Sequence, residues 1–396
     1  TLWSGAVGAE IEIGGATLSG KGEFGGRTIT GDFNSAKFHE FRDVRPGTFG
    51  SLEFLLEDGD RDDYLRFWSH KVGEEDQRYE FEAGRWGIGR LRIFFGELPV
   101  AISNQARSPF DLEGDDELRL PNGFQQRVGS APDTSAALGA ELFQTRPEDV
   151  EYDLRKGEVD FSMLLAHGLQ LEAGYDIWDR QGDRPLSLGF GSPGGSFANF
   201  AAPRDERTHE VSTALRMARE GWNLELGYRG SFFENDLRKL VVENPLNGMD
   251  QVGLSSQGRL AVAPDNAAHN IELTGSFRIP VRFPARLTLT GGYGLRDQDD
   301  GFVPHTINSA LDASQLALPE NSLEGEVRTW LANAVLTAEP IESVDVKLRY
   351  RYYDFSNDTN TIEFPTHVVN DRSISTGTLI ANPNSYERQN AEASVA

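Results

Sequence analysis

One stretch near the C-terminus alternates apolar and polar residues almost without error. In SVDVKLRYRYYDFSNDT, residues 343–359, one side carries Val344, Val346, Leu348, Tyr350 and Tyr352, and the other carries Asp345, Lys347, Arg349, Arg351 and Tyr353. Successive side chains of a β-strand point to opposite faces of its sheet, so this period of two predicts a strand with two unlike faces. The pattern fits a soluble sheet that covers a core, and it equally fits a membrane barrel with its apolar face in lipid.

The same alternation recurs in pairs of segments after Glu151. The apolar positions of these segments are Leu169, Leu171, Ala173, Tyr175 and Ile177, then Val211, Thr213, Leu215 and Met217, then Trp222, Leu224, Leu226, Tyr228 and Phe232, then Ile271, Leu273, Phe277 and Ile279, and finally Leu287, Leu289, Tyr293 and Leu295. Each segment has about ten residues or more, which is the length that a tilted membrane-spanning strand needs.

The connections between these segments alternate between short and long. The short connections are 166–168, 219–221, 280–284 and 339–342, and the long ones run roughly from 180 to 206, 234 to 256, 297 to 323 and 356 to 386. Structureless loops longer than about 15 residues are uncommon in compact soluble domains. Outer-membrane barrels, in contrast, combine short periplasmic turns with long external loops. The connections therefore favour a barrel whose apolar faces contact lipid and whose charged faces line the interior.

The N-terminal part shows the same signal with less regularity. SLEFLLEDGDRDDYLRFW, QRYEFEAGRWGIGRLRIFFGELP and the Gly-rich GAVGAEIEIGGATLSGKGEF predict further strands. Residues 99–150 lack clear alternation, and we expect one long loop there, with a short helix that plugs or rims the lumen. In total the pattern predicts about 14 to 18 strands and a channel of porin width.

Tryptophan and tyrosine residues bracket the predicted strands. They are Trp68, Trp86, Trp178, Trp222, Trp330, Tyr175, Tyr228, Tyr352 and Tyr353. Amphipathic rings favour the boundary between lipid and water, so we interpret these residues as the aromatic girdles of a barrel. The alternative is that they are ordinary strand-forming residues.

Composition excludes several classes of protein. The 396 residues include 62 Asp plus Glu, 38 Lys plus Arg and no Cys, with a formal net charge of -24. The absence of cysteine argues against disulfides, thiolate zinc sites and covalently attached haem on this chain. The acidic balance disfavours nucleic acid as a partner. No apolar run approaches the roughly 20 residues of a membrane helix, so a membrane-spanning form would be a barrel.

Few motifs point to chemistry. GFGSPG at 189–194 has dinucleotide-loop spacing, but it contains a proline and no helical pattern follows it. The acidic runs 57–63 and 297–301 carry oxygen ligands that suit calcium, yet neither has the spacing of a calcium loop, and we expect solvated turns. The histidines are dispersed without metal-binding spacing, at His39, His70, His167, His209, His269, His305 and His367. The sequence therefore nominates no catalytic, cofactor-binding or metal-binding residue.

The barrel interpretation places a set of charged side chains on the lumen side. They are Arg229, Arg278, Arg286, Arg296, Arg349, Arg351, Lys347, Glu225, Glu272 and Asp345. These residues would either line an ion path or hold a protein inside the barrel, and the sequence leaves both alternatives open.

Several segments carry a family resemblance in the same order along the chain. They are the Pro264-Asp265-Asn266 turn, the loop entry Gln298-Asp299-Asp300-Gly301-Phe302, Leu318-Pro319 with Ser322-Leu323-Glu324-Gly325, the strand end Tyr350-Arg351-Tyr352-Tyr353-Asp354, and SAKFHEFRDV at 35–44. Together they resemble the MtrB/PioB family of decahaem-associated outer-membrane proteins.

The resemblance implies a large barrel in the Gram-negative outer membrane that sheaths a periplasmic decahaem c-type cytochrome. It implies a porin–cytochrome conduit for extracellular electron transfer, in which the haems belong to the partner and the barrel is not an enzyme. It also implies that an extracellular multihaem cytochrome binds at the long loops. A passive or substrate-selective porin is the alternative that the residues alone leave open.

Two features depart from the family pattern. The chain lacks the Cys pair that some relatives carry near the N-terminus, and it stops at YERQNAEASVA without a terminal aromatic residue. Relatives also have more strands than the number predicted here. We therefore expect residues 1–396 to form a single transmembrane barrel domain that lacks its C-terminal strands.

Overall fold

The computed structural model describes residues 2–30, 35–40, 46–166, 168–190 and 197–396. The described strands are, in chain order, β1 (Leu2–Ile13), β2 (Ala16–Arg27), β3 (Gly47–Asp58), β4 (Asp63–Val72), β5 (Arg78–Arg85), β6 (Gly89–Ala106), β7 (Asp111–Glu113), β8 (Glu117–Arg119), β9 (Glu148–Ala166), β10 (Leu169–Gly189), β11 (Phe197–Arg219), β12 (Trp222–Asn235), β13 (Lys239–Glu243), β14 (Gln257–Ala261), β15 (Asn266–Arg278), β16 (Ala285–Gln298), β17 (Gly325–Ile341), β18 (Val344–Asn357), β19 (Ile362–Phe364), β20 (His367–Val369), β21 (Ser373–Ser375), β22 (Leu379–Ala381) and β23 (Tyr386–Val395). The helices are α1 (Ala36–His39), α2 (Phe124–Gly129) and α3 (Thr134–Gln144), with a 3₁₀ turn at Ala313–Gln315. Among the described residues, no helix combines the length and the apolar character needed to cross a bilayer.

Fifteen of the described strands form one antiparallel sheet, the barrel wall. Its order is β1-β2-β3-β4-β5-β6-β9-β10-β11-β12-β15-β16-β17-β18-β23, so each strand pairs with the next wall strand along the chain. Such an order needs only hairpin connections and no crossovers. This is the all-β, up-and-down antiparallel architecture of outer-membrane barrels that the alternation predicts, and fifteen strands lie within the predicted range.

The strand register brings the apolar positions together on one face of the wall. One cross-strand row contains Met163, Leu171, Leu215, Leu226 and Leu273, and another contains Trp222, Phe277, Leu287, Leu336 and Leu348. These side chains are not covered by a second sheet, since Leu226 is 47% exposed and Leu273 is 46% exposed. A continuous exposed apolar surface is what a lipid-facing wall requires. The predicted outward direction of the apolar faces is therefore confirmed.

The two rims of the wall have different connections. At one rim, here called the short-turn rim, tight connections join β1 to β2, β3 to β4, β5 to β6, β9 to β10, β11 to β12, β15 to β16 and β17 to β18. The opposite rim, called the long-loop rim, carries the long connections 28–46, 107–147, 236–265, 299–324 and 358–385, and the shorter connections 73–77 and 190–196. The alternation of short and long connections was predicted correctly, although short strands occur within several of the long loops.

The prediction of a loop over 180–206 is wrong for most of its length. β10 continues to Gly189, β11 begins at Phe197, and the two strands stay paired over the whole of that extension. β10 has 21 residues, and a strand of that length spans about 70 Å. The hydrocarbon core of a bilayer is only about 30 Å thick. The β10–β11 hairpin therefore projects well beyond the membrane at the long-loop rim.

The prediction of a single long loop over 99–150 is also partly wrong. β6 continues to Ala106, and β7, β8, α2 and α3 follow before β9 begins at Glu148. The predicted helical content is present, and α3 is capped by Asp133, whose carboxylate accepts a hydrogen bond of 3.0 Å from the Ala136 N–H. In α2, Gln125 donates a hydrogen bond of 2.9 Å to the Asn244 carbonyl. This contact places α2 on the long-loop rim.

A buried apolar core lies at the long-loop rim, beside the wall. β14, β13, β8 and β7 form a small second sheet, built from the loops 236–265 and 107–147. It packs on the projecting β10–β11 hairpin, and we call this assembly the rim unit. Its core cluster consists of Phe110, Leu118, Phe190, Ala198, Phe200, Ala202, Leu240 and Val242. Burial of apolar surface at roughly 25 cal/mol per Å² explains why the extended hairpin stays ordered outside the membrane.

Candidate functional site: the polar face of the wall

The face opposite the apolar surface is polar and rich in small residues. One cross-strand row on it contains Ser162, Glu172, Ala214, Gly227, Glu272 and Gly292, and the next contains Gln170, Arg216, Glu225, Thr274, Thr290 and Asn333. A cavity of about 790 Å³ lies against this face. Charged groups that line it include Arg90, Asp160, Glu172, Arg216, Arg229 and Glu272. The polar face therefore borders the available interior space.

A charge network on β5, β6 and β9 is centred on Arg92. Its Nη1 donates hydrogen bonds to Glu158 at 2.7 Å and to Asp160 at 2.8 Å, and its Nε donates to Glu80 at 3.0 Å. Lys156 also pairs with Glu158, and its ammonium group lies 4.2 Å from the centre of the Trp178 ring. Networks of this kind hold neighbouring strands in register more firmly than isolated surface pairs do.

A second network joins β10, β11 and β12 through Arg216. This guanidinium pairs with Glu172 on β10 and with Glu225 on β12, the latter at 2.9 Å. From the row of Lys156 and Trp178 to the short-turn rim, the polar face of β5, β6 and β9–β12 carries more carboxylates than cations, and we call this part the acidic sector. Its carboxylates are Glu80, Glu82, Glu158, Asp160, Glu172, Asp176, Glu210 and Glu225, and its cations are Arg78, Arg90, Arg92, Lys156, Arg216 and Arg229.

The ten charged residues predicted to face the lumen do share the polar face. Arg278 pairs directly with Arg286, Glu225 lies opposite Thr274, and Arg229 lies opposite Asn270. Asp345, Lys347, Arg349 and Arg351 occupy alternate positions of β18 on that same face, although β17 also places Leu331 and Val335 there. The sequence pattern thus assigned these side chains to the correct side of the wall.

The aromatic girdle prediction is right for some residues and wrong for others. Tyr228, Tyr293 and Trp330 share one row of the apolar face, and the rings of Tyr293 and Trp330 lie 4.6 Å apart. Trp68 and Trp178 instead lie on the polar face, because Trp68 is paired with Glu80 and Trp178 with Lys156. Both also lie in the middle of their strands and not near the ends, and their facing depends on a shift of one residue.

Two histidines have a role that the sequence did not indicate. Nδ1 of His209 lies 2.7 Å from the hydroxyl oxygen of Tyr175, and Nδ1 of His269 lies 2.9 Å from that of Tyr228. Both pairs stand on the apolar face, where a tyrosine hydroxyl needs a hydrogen-bond partner. Only the strand register brings these residues together, since each pair is more than thirty positions apart in sequence.

The residues considered for metal binding form no cluster in the described ranges. There, no three His, Asp or Glu side chains converge in a way that could hold an ion. In the run 297–301, Asp299 accepts a hydrogen bond from Ser322, and Asp300 accepts one of 3.0 Å from the Asp265 N–H. In the run 57–63, Asp63 pairs with Arg85. His167 and residues 191–194 of GFGSPG lie outside the described residues.

Three long loops are tied together at the long-loop rim. The Asp371 carboxylate accepts hydrogen bonds from the Arg259 N–H at 2.9 Å and the Thr306 hydroxyl at 2.6 Å. Asp250 accepts hydrogen bonds from the hydroxyls of Ser256 at 2.7 Å and Ser309 at 3.1 Å. Partial burial raises the pKa of Asp250, but the hydrogen bonds from Ser256 and Ser309 outweigh it, so its pKa lies below the usual value.

The apolar exposed face, the charged inner face and the long loops at one rim define an outer-membrane β-barrel. A family model of MtrB/PioB outer membrane beta-barrel porins matches residues 33–396. The chain belongs to the MtrB/PioB family, and its location is the outer membrane. Outer membrane protein MtrB of Shewanella baltica (strain OS185) is 22% identical over 309 residues, which cover 76% of this chain and 41% of that protein. The chain thus spans about 41% of the length of this curated relative.

Solved outer-membrane proteins show a weak overall similarity. In-vitro folded OmpT of Vibrio cholerae has a TM-score of 0.34 at 7% identity, covering 99% of this chain and 92% of that one. The ferric-catecholate import receptor Fiu of E. coli K12 has a TM-score of 0.37 at 11% identity, covering 98% of this chain and 64% of that one. The family assignment rests on the sequence match.

Proposed function

We propose that this chain is part of a barrel that sheaths a periplasmic multihaem c-type cytochrome, forming a conduit for electrons across the outer membrane. The observation that carries the proposal is the polar face, which combines ionic networks, small residues and open space in a chain of the MtrB/PioB family. The resemblance of the sequence to that family implied the same role. An extracellular multihaem cytochrome would then bind at the long-loop rim.

The composition of the chain indicates which protein of the conduit would carry the haems. The 396 residues contain no cysteine, and c-type haem is attached through a C-x-x-C-H motif. The haems of the conduit therefore belong to the partner, and the barrel performs no redox reaction itself. Its contribution is to position the haem protein and to keep lipid away from it.

Small residues on the polar face favour a protein guest over a narrow ion path. Gly174, Ser212, Ala214, Gly227 and Gly292 lie on neighbouring strands of this face and leave the wall smooth between the ionic networks. A smooth wall allows the backbone of a guest to approach closely.

Co-purification of the full-length protein tests the proposal. Solubilised from native outer membranes, the barrel should carry stoichiometric c-type haem, measured by absorbance and by haem staining of a partner band. The partner should remain bound through size-exclusion chromatography. A folded barrel that is isolated without haem, from cells that make multihaem cytochromes, would contradict the proposal.

A second candidate function is that of a passive porin, and the open cavity with its charged lining favours it. The surplus of carboxylates in the acidic sector would give such a pore a preference for cations. Conductance across a planar bilayer distinguishes the two functions. A large, stable, cation-selective conductance of protein that has never carried haem would favour the porin, whereas a conduit should conduct ions only after its guest is removed.

A further inference from the structure

We propose that a basic patch on the polar face of β15–β18 binds carboxylates on the surface of the protein that the barrel encloses. The patch consists of Arg278, Arg286, Lys347, Arg349 and Arg351. It lies on the strand ends next to the short-turn rim, because β15 ends at Arg278 and β18 begins at Val344. The inference rests on the proposed function, since it concerns how the wall holds its guest.

The strand register brings the five cations onto one continuous surface. Arg278 is paired directly with Arg286, and Thr337 separates Arg286 from Lys347 in the same cross-strand row. Arg349 and Arg351 follow Lys347 at alternate positions of β18. Neighbouring strands lie about 4.8 Å apart, so the row from Arg278 to Lys347 is about 15 Å wide. The patch is too broad for one small anion to cover.

The cations of the patch have no ionic partner at contact distance. In the part of the chain that the structure describes, no carboxylate oxygen lies within 4.0 Å of any of the five. Arg286 donates a hydrogen bond to the Ser276 hydroxyl at 2.9 Å, and Arg349 donates one to Asn333 at 3.3 Å. These neutral partners hold the guanidinium groups without neutralising them.

In the acidic sector, by contrast, cations do contact carboxylates. There, Arg92 contacts three carboxylates and Arg216 contacts two. Like charges placed directly opposite each other destabilise a sheet, and the pair Arg278 and Arg286 is such a case. The carboxylates that face the patch are Glu339, Asp345 and Glu392, which are fewer than the cations. Neutralisation of the patch therefore requires carboxylates from outside these strands.

The position of the patch determines which ligand can reach it. Its side chains face the lumen, while the lipid-facing side of the same strands carries Leu287, Leu336 and Leu348. Lipid head groups therefore do not reach it. A folded guest presents carboxylates over a comparable area, either as Asp and Glu side chains or as haem propionates. Because the acidic sector lies elsewhere on the wall, the guest would be held in one rotational orientation.

The test uses the full-length protein in its native complex with the haem-bearing guest. The substitutions Lys347→Gln, Arg349→Gln and Arg351→Gln together remove three charges of the patch. We expect the guest to dissociate about tenfold faster at moderate ionic strength, and the difference should shrink as salt screens the remaining contacts. A charge-retaining variant, Lys347→Arg with Arg351→Lys, should release its guest at nearly the wild-type rate.

A matched control removes the same charge elsewhere. Arg61→Gln, Arg146→Gln and Arg219→Gln change three exposed cations in or next to the connections between other strands, and guest release should stay unchanged. Heat-modifiable migration in detergent gels verifies that each barrel is folded. If the triple variant does not fold, the single variants Arg278→Gln and Lys347→Gln replace it, with a smaller acceleration expected from each.

The outcomes separate this inference from the proposed function. Wild-type protein without haem would overturn both. A wild-type complex with haem, together with unchanged guest release from the folded triple variant at every ionic strength, would overturn the basic patch alone. When release is accelerated, redox titration identifies the source of the carboxylates. A shifted haem potential assigns them to propionates, and unchanged potentials assign them to acidic side chains.

Discussion

The main-chain N–H of Arg259 donates a hydrogen bond of 2.9 Å to the carboxylate of Asp371, across 112 positions of the sequence. The same carboxylate accepts from the Thr306 hydroxyl, and Asn308 donates to the Asp371 carbonyl at 2.7 Å. One aspartate thus joins the loops 236–265, 299–324 and 358–385. Asp371 is only 8% exposed, and its partners Arg259 and Thr306 are partly buried.

Asp371→Ala should loosen these three loops while the wall remains folded. The substitution leaves an N–H and a hydroxyl without their acceptor, which costs about 1–3 kcal/mol when the groups are buried. Limited proteolysis and hydrogen exchange should show faster cleavage and faster exchange in the loops 299–324 and 358–385. Asp312→Ala is the control, because among the described residues the Asp312 carboxylate accepts hydrogen bonds only from its neighbours Ser314 and Gln315. Equal protection in the two variants would contradict the role of Asp371.

Arg92→Gln should destabilise the wall at β5, β6 and β9. The change leaves Glu80, Glu158 and Asp160 close together without the guanidinium that they share. Loss of a hydrogen-bonded charge in a partly buried site costs roughly 1–3 kcal/mol. The unfolding temperature from heat-modifiable gel migration should fall. Arg90→Gln should have little effect, since Arg90 has no carboxylate within 4.0 Å among the described residues, and an equal fall in both would argue against the network.

The long-loop rim should lose order in acid. The pKa of Asp250 is lowered in the folded protein by the hydrogen bonds from Ser256 and Ser309, despite partial burial. An unfolded aspartate titrates near about 3.9, so the contribution of Asp250 is complete above that pH and disappears as the pH falls through the lower folded value. The protection factors of amide hydrogens in the loops 236–265 and 299–324, corrected for the intrinsic pH dependence of exchange and measured from pH 6 to about pH 3, should fall at the acid end. Asp250→Asn should flatten this dependence, and an unchanged pH profile in that variant would rule out Asp250 as the source.

Adjacent residues of β15 provide a direct test of the facing of the wall. Leu273 belongs to the apolar face, and Thr274 belongs to the polar face, where its hydroxyl lies 3.1 Å from that of Thr290. Leu273→Arg should impair assembly and lower stability by about 2–4 kcal/mol, because arginine is costly on the lipid face near the bilayer centre. Thr274→Arg should assemble nearly as well as the wild type. The opposite ranking in membrane-integration and heat-modifiability assays would reverse the assigned faces.

The regular part of the wall was predictable because it obeys a local rule. In β18 the period of two holds from Val344 to Arg351, so Val346 and Lys347 are assigned to opposite faces from sequence alone. The extension of β10 and β11 was not predictable in this way. Gly182, Pro185 and Pro203 resemble loop residues, and only packing on the rim unit keeps that segment extended.

The rim unit could not be predicted from the sequence pattern either, because it also depends on packing between distant segments. β7 and β8 have three residues each, and β13 and β14 have five, which is too short for a periodic signal. Their burial depends on segments more than a hundred residues apart, since Val242 pairs with Leu118. The basic patch, unlike the rim unit, could be predicted in part. Its residues and their facing were predicted, but the absence of contacting carboxylates depends on three-dimensional distances.

The hydrogen bonds that Asp371 makes between three loops also affect how a complex could assemble. Loops that are hydrogen-bonded to one another cannot open one at a time. The long-loop rim is therefore a poor entrance for a folded guest. At the opposite rim the described connections are tight turns. Under the proposed function, a guest would therefore enter from the side of the tight turns, and the tied loops would limit how far it travels.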